Sequence, residues 1–370
     1  MVQPALMTAL TRRDVRLLVI CLVLAAAAGG LDLRPVGTVL PFAVAALALA
    51  ALATLVGRCV DALGDRLGAG ATGVVQSALG NLPELFVCIF ALRAGLDDVV
   101  RAAIVGSVLS NVLLVLGLAF LVGGLKHGTQ RFHAERARAT GLLLLLAVGA
   151  LLLPALTSAL HTPARGHELA LSRVTAVALL IVFGLSLPAA LSRQSASTPE
   201  LDDDPAGPEQ QDADGTVREW PLWLSIGLLA AAGVGAAFVS DWFVTALTPA
   251  IGALHLSQTF AGLVIVAIAG NAVENVVGIQ LAAKNRPDYA LSVILQSPLQ
   301  IVLVLAPVLV LLAPLVGASF TLVLSPLLIA VLVIAVLVTV VVTFDAESTW
   351  LEGVALLALY VVMSTAFFWG

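Results

Sequence analysis

The sequence predicts an all-α polytopic membrane protein from its composition, its apolar stretches and an internal repeat. Sixty per cent of the 370 residues are apolar and 11% are charged, against about 25% charged residues in an ordinary soluble domain. A helix that crosses a bilayer needs about 20 apolar residues, and backbone groups in lipid must be hydrogen-bonded within their own segment. The chain has eleven stretches of this kind, near residues 15–31, 35–57, 69–93, 98–124, 139–160, 170–192, 221–246, 257–283, 288–313, 320–343 and 350–369.

The first apolar stretch resembles a signal peptide, because it follows three arginines and ends in small residues. We predict a retained first helix within residues 1–34, since ten more spans follow and a cleaved leader would add nothing to them. The distribution of basic residues supports this count of spans. With a cytoplasmic N-terminus, 13 of the 18 lysines and arginines fall inside, as the positive-inside rule requires. The five outside are Arg34, Arg93, Arg101, Arg165 and Arg173.

Residues 194–219 form the one long polar stretch and are rich in Pro, Asp, Glu and Gln. A segment this poor in apolar residues does not fold alone. It predicts an acidic cytoplasmic linker between a first half over residues 35–193 and a second half over residues 220–370. A passive tether and a regulatory or cation-attracting segment both fit this composition.

The two halves share a repeated sequence. Residues 80–107 align without a gap on residues 270–297, at a constant offset of 190. Each copy falls in the second and third helices of a five-helix half, and an odd number of spans gives the halves opposite orientations. The sequence therefore predicts one N-terminal helix plus two inverted five-helix repeats, with a site at their interface near the membrane centre. The identical pairs are Gly80/Gly270, Asn81/Asn271, Glu84/Glu274, Val87/Val277, Ile89/Ile279, Asp98/Asp288, Ile104/Ile294 and Ser107/Ser297.

Two glutamates at equivalent positions of the repeat are the strongest functional candidates. Of the 23 acidic residues, Glu84 and Glu274 alone fall deep inside apolar spans. A charged side chain at mid-bilayer costs about 3 kcal/mol or more, so a matched pair indicates function rather than packing. Asp241 is also flanked by apolar residues, but it lies nearer a predicted helix end and is the weaker candidate.

Each glutamate follows a predicted break in its helix. Pro83 cannot donate a hydrogen bond to the carbonyl group of Leu79. The Gly80–Asn81 pair, and its equivalent in the second half, weaken the helix further. Carbonyl groups and half-helix ends freed in this way coordinate cations in transporters.

Neighbouring helices add oxygen atoms from Ser107, Ser110, Asn111, Ser297 and Gln300. Carboxylate, amide, hydroxyl and backbone oxygens suit a hard cation, and Ca²⁺ takes about 6–8 of them. Two carboxylates match one divalent charge, and a buried carboxylate that loses its cation is expected to take up a proton. The residues therefore predict exchange of Ca²⁺ for H⁺ by competition at one site, with no cofactor besides the transported ions.

At these residues the chain resembles the Ca²⁺/cation antiporter superfamily, specifically its Ca²⁺/H⁺ exchanger branch, which has the sodium/calcium exchanger membrane-region fold. The resemblance covers nearly the whole chain. In the first half it rests on GNLPELFVCIFALRAG and GSVLSNVLLVLGLAFLVGG, and in the second on GNAVEN, AAKNRPDYALSV, SPLQIVLVLAPVLVL and ESTWLEGVALLALYVV. It implies eleven helices, arranged as one plus two inverted fives, and an acidic cytoplasmic linker.

The resemblance also implies a set of binding residues. With the two glycines of the predicted breaks added, the cation- and proton-binding residues are predicted to be Glu84, Glu274, Asn81, Asn271, Ser107, Ser297, Gln300, Gly80 and Gly270. The first four of these are the predicted metal ligands.

The chain departs from the pattern of the family's exchangers at three places. Asn275 stands where a histidine usually follows the second glutamate, and Gln296-Ser297-Pro298 replaces Gly-Ser-Ser. Arg58 stands in a region that is usually acidic, near Asp61. Without that histidine, the glutamates are the expected proton carriers. These departures bear on the choice of ion and on stoichiometry.

Other functions remain open from the sequence. A Na⁺/H⁺ or Na⁺/Ca²⁺ exchanger would use the same scaffold, and a cation channel would use the same oxygens. An intramembrane hydrolase would need a nucleophile with a base, or a metal cluster, and the sequence has neither pattern. We expect a transporter rather than an enzyme, placed in a bacterial inner membrane with its C-terminus outside. Its expected partners are inorganic cations and the lipid bilayer, not nucleic acid, and the oligomeric state is left open.

Overall fold

The computed structural model describes residues 10–34, 37–196 and 220–369, without the side chains of residues 64–78, 187–196 and 272–275. The predicted linker over residues 194–219 therefore lies almost wholly outside the described residues. The N-terminal segment contains α1 Arg12–Asp32. It is followed by the elements of the first half, α2 Val39–Leu79, α3 Leu82–Arg93, α4 Asp97–Leu109, the π-helical segment π1 Ser110–Val115, α5 Leu116–His127, β1 Gln130–Arg131, α6 Ala134–Ala159 and α7 Glu168–Ala196.

The second half repeats much of this order. It contains α8 Leu222–Leu254, α9 Gln258–Phe260, π2 Ala261–Val266, α10 Ala267–Gly270, α11 Ala272–Ala283, α12 Pro287–Gln300, π3 Ile301–Leu305, α13 Ala306–Leu312, a 3₁₀ turn at Ala313–Val316, α14 Pro326–Val342, β2 Glu347–Ser348 and α15 Trp350–Ala366. The two short strands form an antiparallel ladder that joins the halves.

The helices have the length and composition of membrane spans. Within the described part of the chain, seven helices are long and apolar enough to cross a bilayer. Three shorter apolar helices add to them, at Gln258–Gly270, Pro326–Val342 and Trp350–Ala366. Many of their outward side chains are large and apolar, as expected where lipid is the solvent.

The sequence repeat is also a structural repeat. Helix α3 (Leu82–Arg93) and helix α11 (Ala272–Ala283) begin and end at the same offset of 190 that aligns the sequences. Helices α4 and α12 also correspond, and each continues into a π-helical segment, π1 or π3. The α3–α4 hairpin and the α11–α12 hairpin are therefore equivalent units of the two halves.

The second and third predicted spans are not separated where the sequence predicts. The expected loop between residues 57 and 69 is helical, and α2 runs without a break from Val39 to Leu79. Arg58, predicted in that loop, lies inside the helix, and residues 58–68 contain no proline that would end it. The break comes only at Gly80–Asn81, where the repeat begins.

Asp241 also lies elsewhere than predicted. Helix α8 continues to Leu254, so this aspartate is near the middle of a 33-residue helix rather than near its end. Its side chain is exposed. The apolar residues that follow it, through residue 254, carry the helix further than the predicted span.

A buried ion pair fixes the first helix to the rest of the molecule. Asp14 in α1 is 3% exposed and lies 3.2 Å from Arg58 Nε of α2. Trp220, the first residue of the second half, donates a hydrogen bond from Nε1 to Asp14 Oδ2 at 3.3 Å. The Arg58 guanidinium also lies over the Trp220 ring, 5.9 Å from its centroid. Arg58 thus pairs with a buried carboxylate and packs on an aromatic ring, which accounts for a basic residue at this position.

Close helix packing in the core depends on two glycines. A Cβ atom on Gly106 of α4 would lie 2.0 Å from the carbonyl oxygen of Leu263, and a Cβ atom on Gly262 would lie 2.4 Å from that of Val99. Helix α4 and segment π2 therefore approach with backbone against backbone, as small residues allow in membrane helices. This contact brings a helix of the first half against the segment that precedes the second break.

Segments predicted on the same side of the membrane contact each other. On one side, β1 pairs with β2, and Arg138 donates to the carbonyl oxygen of Phe344. On the other, Arg101 donates to the carbonyl oxygen of Thr321, and Ser257 donates to that of Phe367. This grouping agrees with the predicted order of crossings, and the assignment of one side as cytoplasmic stays a prediction.

Candidate cation-binding site

The two helix breaks have the same backbone geometry. Asn81 has φ −94° and ψ 18°, and Asn271 has φ −101° and ψ 24°, so neither continues the preceding helix. Helix α3 begins at Leu82 with Pro83 in its first turn, where a missing N–H costs no helix hydrogen bond. Both predicted glutamates occupy the third position of their helix, near its positive end, where a negative charge is favoured.

Glu84 lies between the two halves. Its side chain is 1% exposed and accepts a hydrogen bond on Oε1 from the Ser107 hydroxyl group. The same side chain packs on Gly270, where an added Cβ atom would lie 3.4 Å from both Cβ and Cγ of Glu84. The carboxylate of the first half therefore lies against the helix break of the second half.

Asn111 in π1 is the centre of a buried network between the halves. Its Nδ2 group donates to the carbonyl oxygen of Ser107 at 2.9 Å, to Asn271 Oδ1 at 3.3 Å and to Ser297 Oγ at 3.2 Å. Ser297 also donates to Asn271 Oδ1 at 3.1 Å. Asn271 Nδ2 in turn donates to the carbonyl oxygen of Ala267 at 3.0 Å. A continuous set of polar contacts thus connects Glu84 with the second-half residues.

The side-chain carbonyl oxygen of Asn111 is oriented away from the acceptors that its amide nitrogen contacts. The nitrogen faces acceptors, one of them a backbone carbonyl oxygen, so Oδ1 points the other way. Among the described residues this oxygen has no hydrogen-bond partner, although Asn111 is 0% exposed. Buried polar atoms normally have partners, and an amide oxygen held in this way is suited to bind a cation.

The structure brings together five of the nine predicted site residues: Glu84, Ser107, Gly270, Asn271 and Ser297. Gln300 is buried at the end of α12, and Gly80 and Asn81 are half-buried at the first break. The side chain of Glu274 lies outside the described residues, and its backbone occupies the first turn of α11. The predicted pairing of the two carboxyl groups thus stays a prediction.

From the sequence, Asn111 is a candidate source of a ligand oxygen, but it is not among the predicted binding residues. Its repeat-equivalent position is Ile301, so comparison of the two halves gives it no support. The signal that identifies it is its spacing, four residues after Ser107, which places both side chains on one helix face.

Two related halves, each with a broken helix that carries a glutamate, and one buried polar network between them define a membrane transporter of the repeat type. The family model described as sodium/calcium exchanger protein matches residues 38–191 and 224–369. The chain therefore belongs to the sodium/calcium exchanger protein family.

Relatives extend this assignment over most of the chain. A Ca(2+)/H(+) antiporter of Aphanothece halophytica is 35% identical and covers 88% of this chain and 89% of its own. The Ca(2+)/H(+) antiporter ChaA of Bacillus subtilis is 33% identical, covering 92% and 97%. The solved structure of native YfkE superposes with a TM-score of 0.77 at 31% identity, covering 94% of this chain and 99% of that one. The predicted family resemblance and the helical membrane class are confirmed.

Proposed function

We propose that this chain exchanges Ca²⁺ for H⁺ across a membrane by alternating access, with Glu84 and Glu274 holding either the cation or the protons that replace it. The observation that carries this proposal is the position of Glu84. Its buried carboxyl group lies against the helix break of the other half and at one end of the network through Asn111. A charged group in such a place costs several kcal/mol unless a cation or a proton compensates it.

The oxygen set supports a hard cation. Carboxylate, amide and hydroxyl oxygens are the ligands that Ca²⁺ prefers. The site offers them from Glu84, Asn111, Asn271, Ser107 and Ser297. One divalent ion balances two carboxylates. When the ion leaves, protonation of the carboxylates replaces its charge, so the same residues exchange the two substrates by competition. The two relatives above, at 33% and 35% identity, are both named Ca(2+)/H(+) antiporters, which supports the same pair of ions.

The difference between the halves supports alternating access. Asn271 is 0% exposed and both polar atoms of its amide are hydrogen-bonded, whereas its equivalent Asn81 is half-buried. Two positions related by the repeat thus occupy different environments in one conformation. Rocking of residues 35–193 against residues 220–370 would exchange these environments and present the site to the other side. We place the N-terminus in the cytoplasm of a bacterial cell, the C-terminus outside, and the linker as the cytoplasmic connection.

Transport in reconstituted vesicles tests this function. We expect proteoliposomes with an acidic interior to accumulate ⁴⁵Ca²⁺, and we expect collapse of the pH gradient by a protonophore to stop it. A Na⁺ gradient of the same size, without a pH gradient, should drive no uptake. Uptake driven by Na⁺ alone would instead identify a Na⁺/Ca²⁺ exchanger. Flux that requires no counter-ion would identify a channel, and either result would overturn the proposal.

The network predicts a strong effect of Asn111→Leu on ion affinity. Leucine has a similar size but provides neither the donor to Asn271 and Ser297 nor the amide oxygen. A buried acceptor left without its donor costs about 1–3 kcal/mol, so we expect about ten- to hundredfold weaker apparent Ca²⁺ affinity in the vesicle assay.

Ser110→Ala is the matched control for this variant. Ser110 is the neighbouring residue, is equally buried, and has a hydroxyl oxygen without a partner among the described residues. Its removal should change the affinity less than about threefold. Equal losses in both variants would show that local packing of π1, rather than the Asn111 amide, determines affinity.

A further inference from the structure

The α11–α12 hairpin carries the site residues of the second half at its two far ends. Asn271 precedes α11, and Ser297 and Gln300 lie in the last turn of α12. The turn between the helices, at residues 284–286, lies at one end of the bundle. Because the helices are continuous from the turn to the site, movement of the turn also moves the site residues.

The first half holds this turn with side chains from the last turn of α5 and from the segment between α5 and α6. Gln130 donates from Nε2 to the carbonyl oxygen of Ala282 at 3.1 Å and to Asn285 Oδ1 at 2.9 Å. Lys126 donates to the carbonyl oxygen of Ala283 at 3.1 Å, and His127 Nε2 lies 2.9 Å from the same oxygen. These contacts satisfy carbonyl groups that a helix end leaves unpaired.

His133 makes the one contact of this set that pairs a histidine with a carboxylate. Its Nδ1 lies 2.9 Å from Asp288 Oδ1, and its backbone N–H donates to the same oxygen at 2.6 Å. Asp288 is in the first turn of α12, and His133 directly precedes α6. We call this pair the His133–Asp288 latch, since it joins the start of α12 to the start of α6.

At the other end of the molecule, the equivalent elements contact each other through different residues. Residues 317–325 of the second half correspond by the repeat offset to residues 127–135. There Arg101 of α4 donates from Nε to the carbonyl oxygen of Thr321 at 3.2 Å and pairs with Asp98 at 2.9 Å. Asp98 is the repeat equivalent of Asp288. An arginine stays charged at every physiological pH, whereas histidine changes its charge between about pH 5 and 8.

We propose that the His133–Asp288 latch is a proton-sensitive closure on one face of the transporter, which holds the α11–α12 hairpin against the first half when His133 is protonated. The Arg101 contact closes the opposite face without sensitivity to pH. The exchanger thus senses pH on the latch side alone. This inference rests on the proposed function for its effect on transport, but the latch itself is a structural property.

The sign of the effect follows from the charges. A protonated imidazole donates a charge-assisted hydrogen bond to the Asp288 carboxylate, and a neutral one does not. The other charged or titratable groups on the elements packed here are Lys126 and His127 at the end of α5, the Arg131–Glu347 pair on the ladder, Glu135, Arg136 and Arg138 on α6, and Lys284 and Arg286 in the turn. His133 is 77% exposed and Asp288 is 29% exposed, so water screens the pair and its effect is limited to about fivefold in a conformational equilibrium.

A spin-label measurement tests the latch without transport. Nitroxides on Glu135→Cys in α6 and Ser292→Cys in α12, with Cys21, Cys59 and Cys88 replaced by serine, report the separation of the two helices. We expect dipolar broadening to decrease as pH rises from about 5 to 8. In His133→Gln and in Asp288→Asn the broadening should be independent of pH. A pH-independent spectrum with both latch residues present, or an unchanged transition in His133→Gln, would overturn the latch.

Transport provides the functional half of the test. In proteoliposomes, the pH is lowered in the solution on the side of the membrane that the latch faces. We expect turnover to fall by up to about fivefold as His133 protonates. His133→Gln and Asp288→Asn should each lose this dependence of turnover on pH, and the double variant should match either single variant. His167 is an exposed histidine outside the latch, so His167→Gln should keep the dependence. Persistence of the dependence in His133→Gln contradicts the proposal. If no variant and no wild-type protein exchanges Ca²⁺ for H⁺, the proposed function fails while the spin-label result still decides the latch.

Discussion

Glu84→Gln is expected to abolish pH-driven ⁴⁵Ca²⁺ uptake while leaving the protein folded. Glutamine has the same shape and keeps an oxygen that accepts the hydrogen bond from Ser107, but it neither carries charge nor takes up a proton. Loss of one member of a buried charge pair costs about 2–5 kcal/mol. That is at least about thirtyfold in affinity for the ion, and the lost proton carrier stops the exchange step itself. Uptake per mole of reconstituted protein measures the effect.

Asp241→Asn is the control for this variant, because it makes the same change of charge on an exposed position of α8. It should transport at close to the wild-type rate. Glu274→Gln should match Glu84→Gln, since Glu274 lies in the first turn of α11 as Glu84 lies in the first turn of α3. Normal transport by either glutamine variant would rule out the paired-carboxylate site, and a loss in Asp241→Asn would indicate a general need for acidic residues.

Gly106→Ala is expected to cause the largest loss of stability among single methyl additions. The added Cβ atom would lie 2.0 Å from a backbone oxygen of π2, so the helices must separate, and no side-chain rotation relieves the contact. Overpacking in a core costs about 1–3 kcal/mol, and more where the backbone must move. We expect the midpoint temperature of thermal unfolding in detergent to be lower. We also expect a smaller fraction of the protein to elute as a monodisperse peak in size-exclusion chromatography.

Gly149→Ala in α6 is the matched control. An added Cβ atom there meets no atom within 4 Å, and alanine favours a helix over glycine by about 1 kcal/mol. The midpoint should stay the same or rise. A Gly106→Ala protein as stable as Gly149→Ala would mean that α4 and π2 do not pack as closely as described.

The sequence predicts the repeat and its breaks well because both depend on local chemistry. Gly80–Asn81 and Gly270–Asn271 interrupt their helices because of residue type alone, and the offset of 190 reappears in the bounds of α3 and α11. A glutamate three residues after each break follows from the same local pattern. These features need no knowledge of which helices pack together.

Features that depend on contacts between residues far apart in the chain are harder to predict from the sequence. The continuation of α2 through Arg58 involves a partner, Asp14, that is 44 residues away in the chain. The role of Asn111 depends on Asn271, 160 residues away, and its repeat equivalent is an isoleucine. Hydrophobic periodicity identifies the faces of single helices, but it does not specify which polar groups meet across the interface between the halves.

The most direct test of the central claim is the position of the bound ion. Crystals grown with Ca²⁺, and with Sr²⁺ as a stronger anomalous scatterer, would locate it by anomalous diffraction. We expect one peak between the helix breaks, about 2.3–2.6 Å from a carboxylate oxygen of Glu84, with carboxylate oxygen from Glu274 and amide oxygen from Asn111 or Asn271 in the same shell. A peak away from both glutamates, or carboxyl groups too far apart to share one ion, would contradict the account.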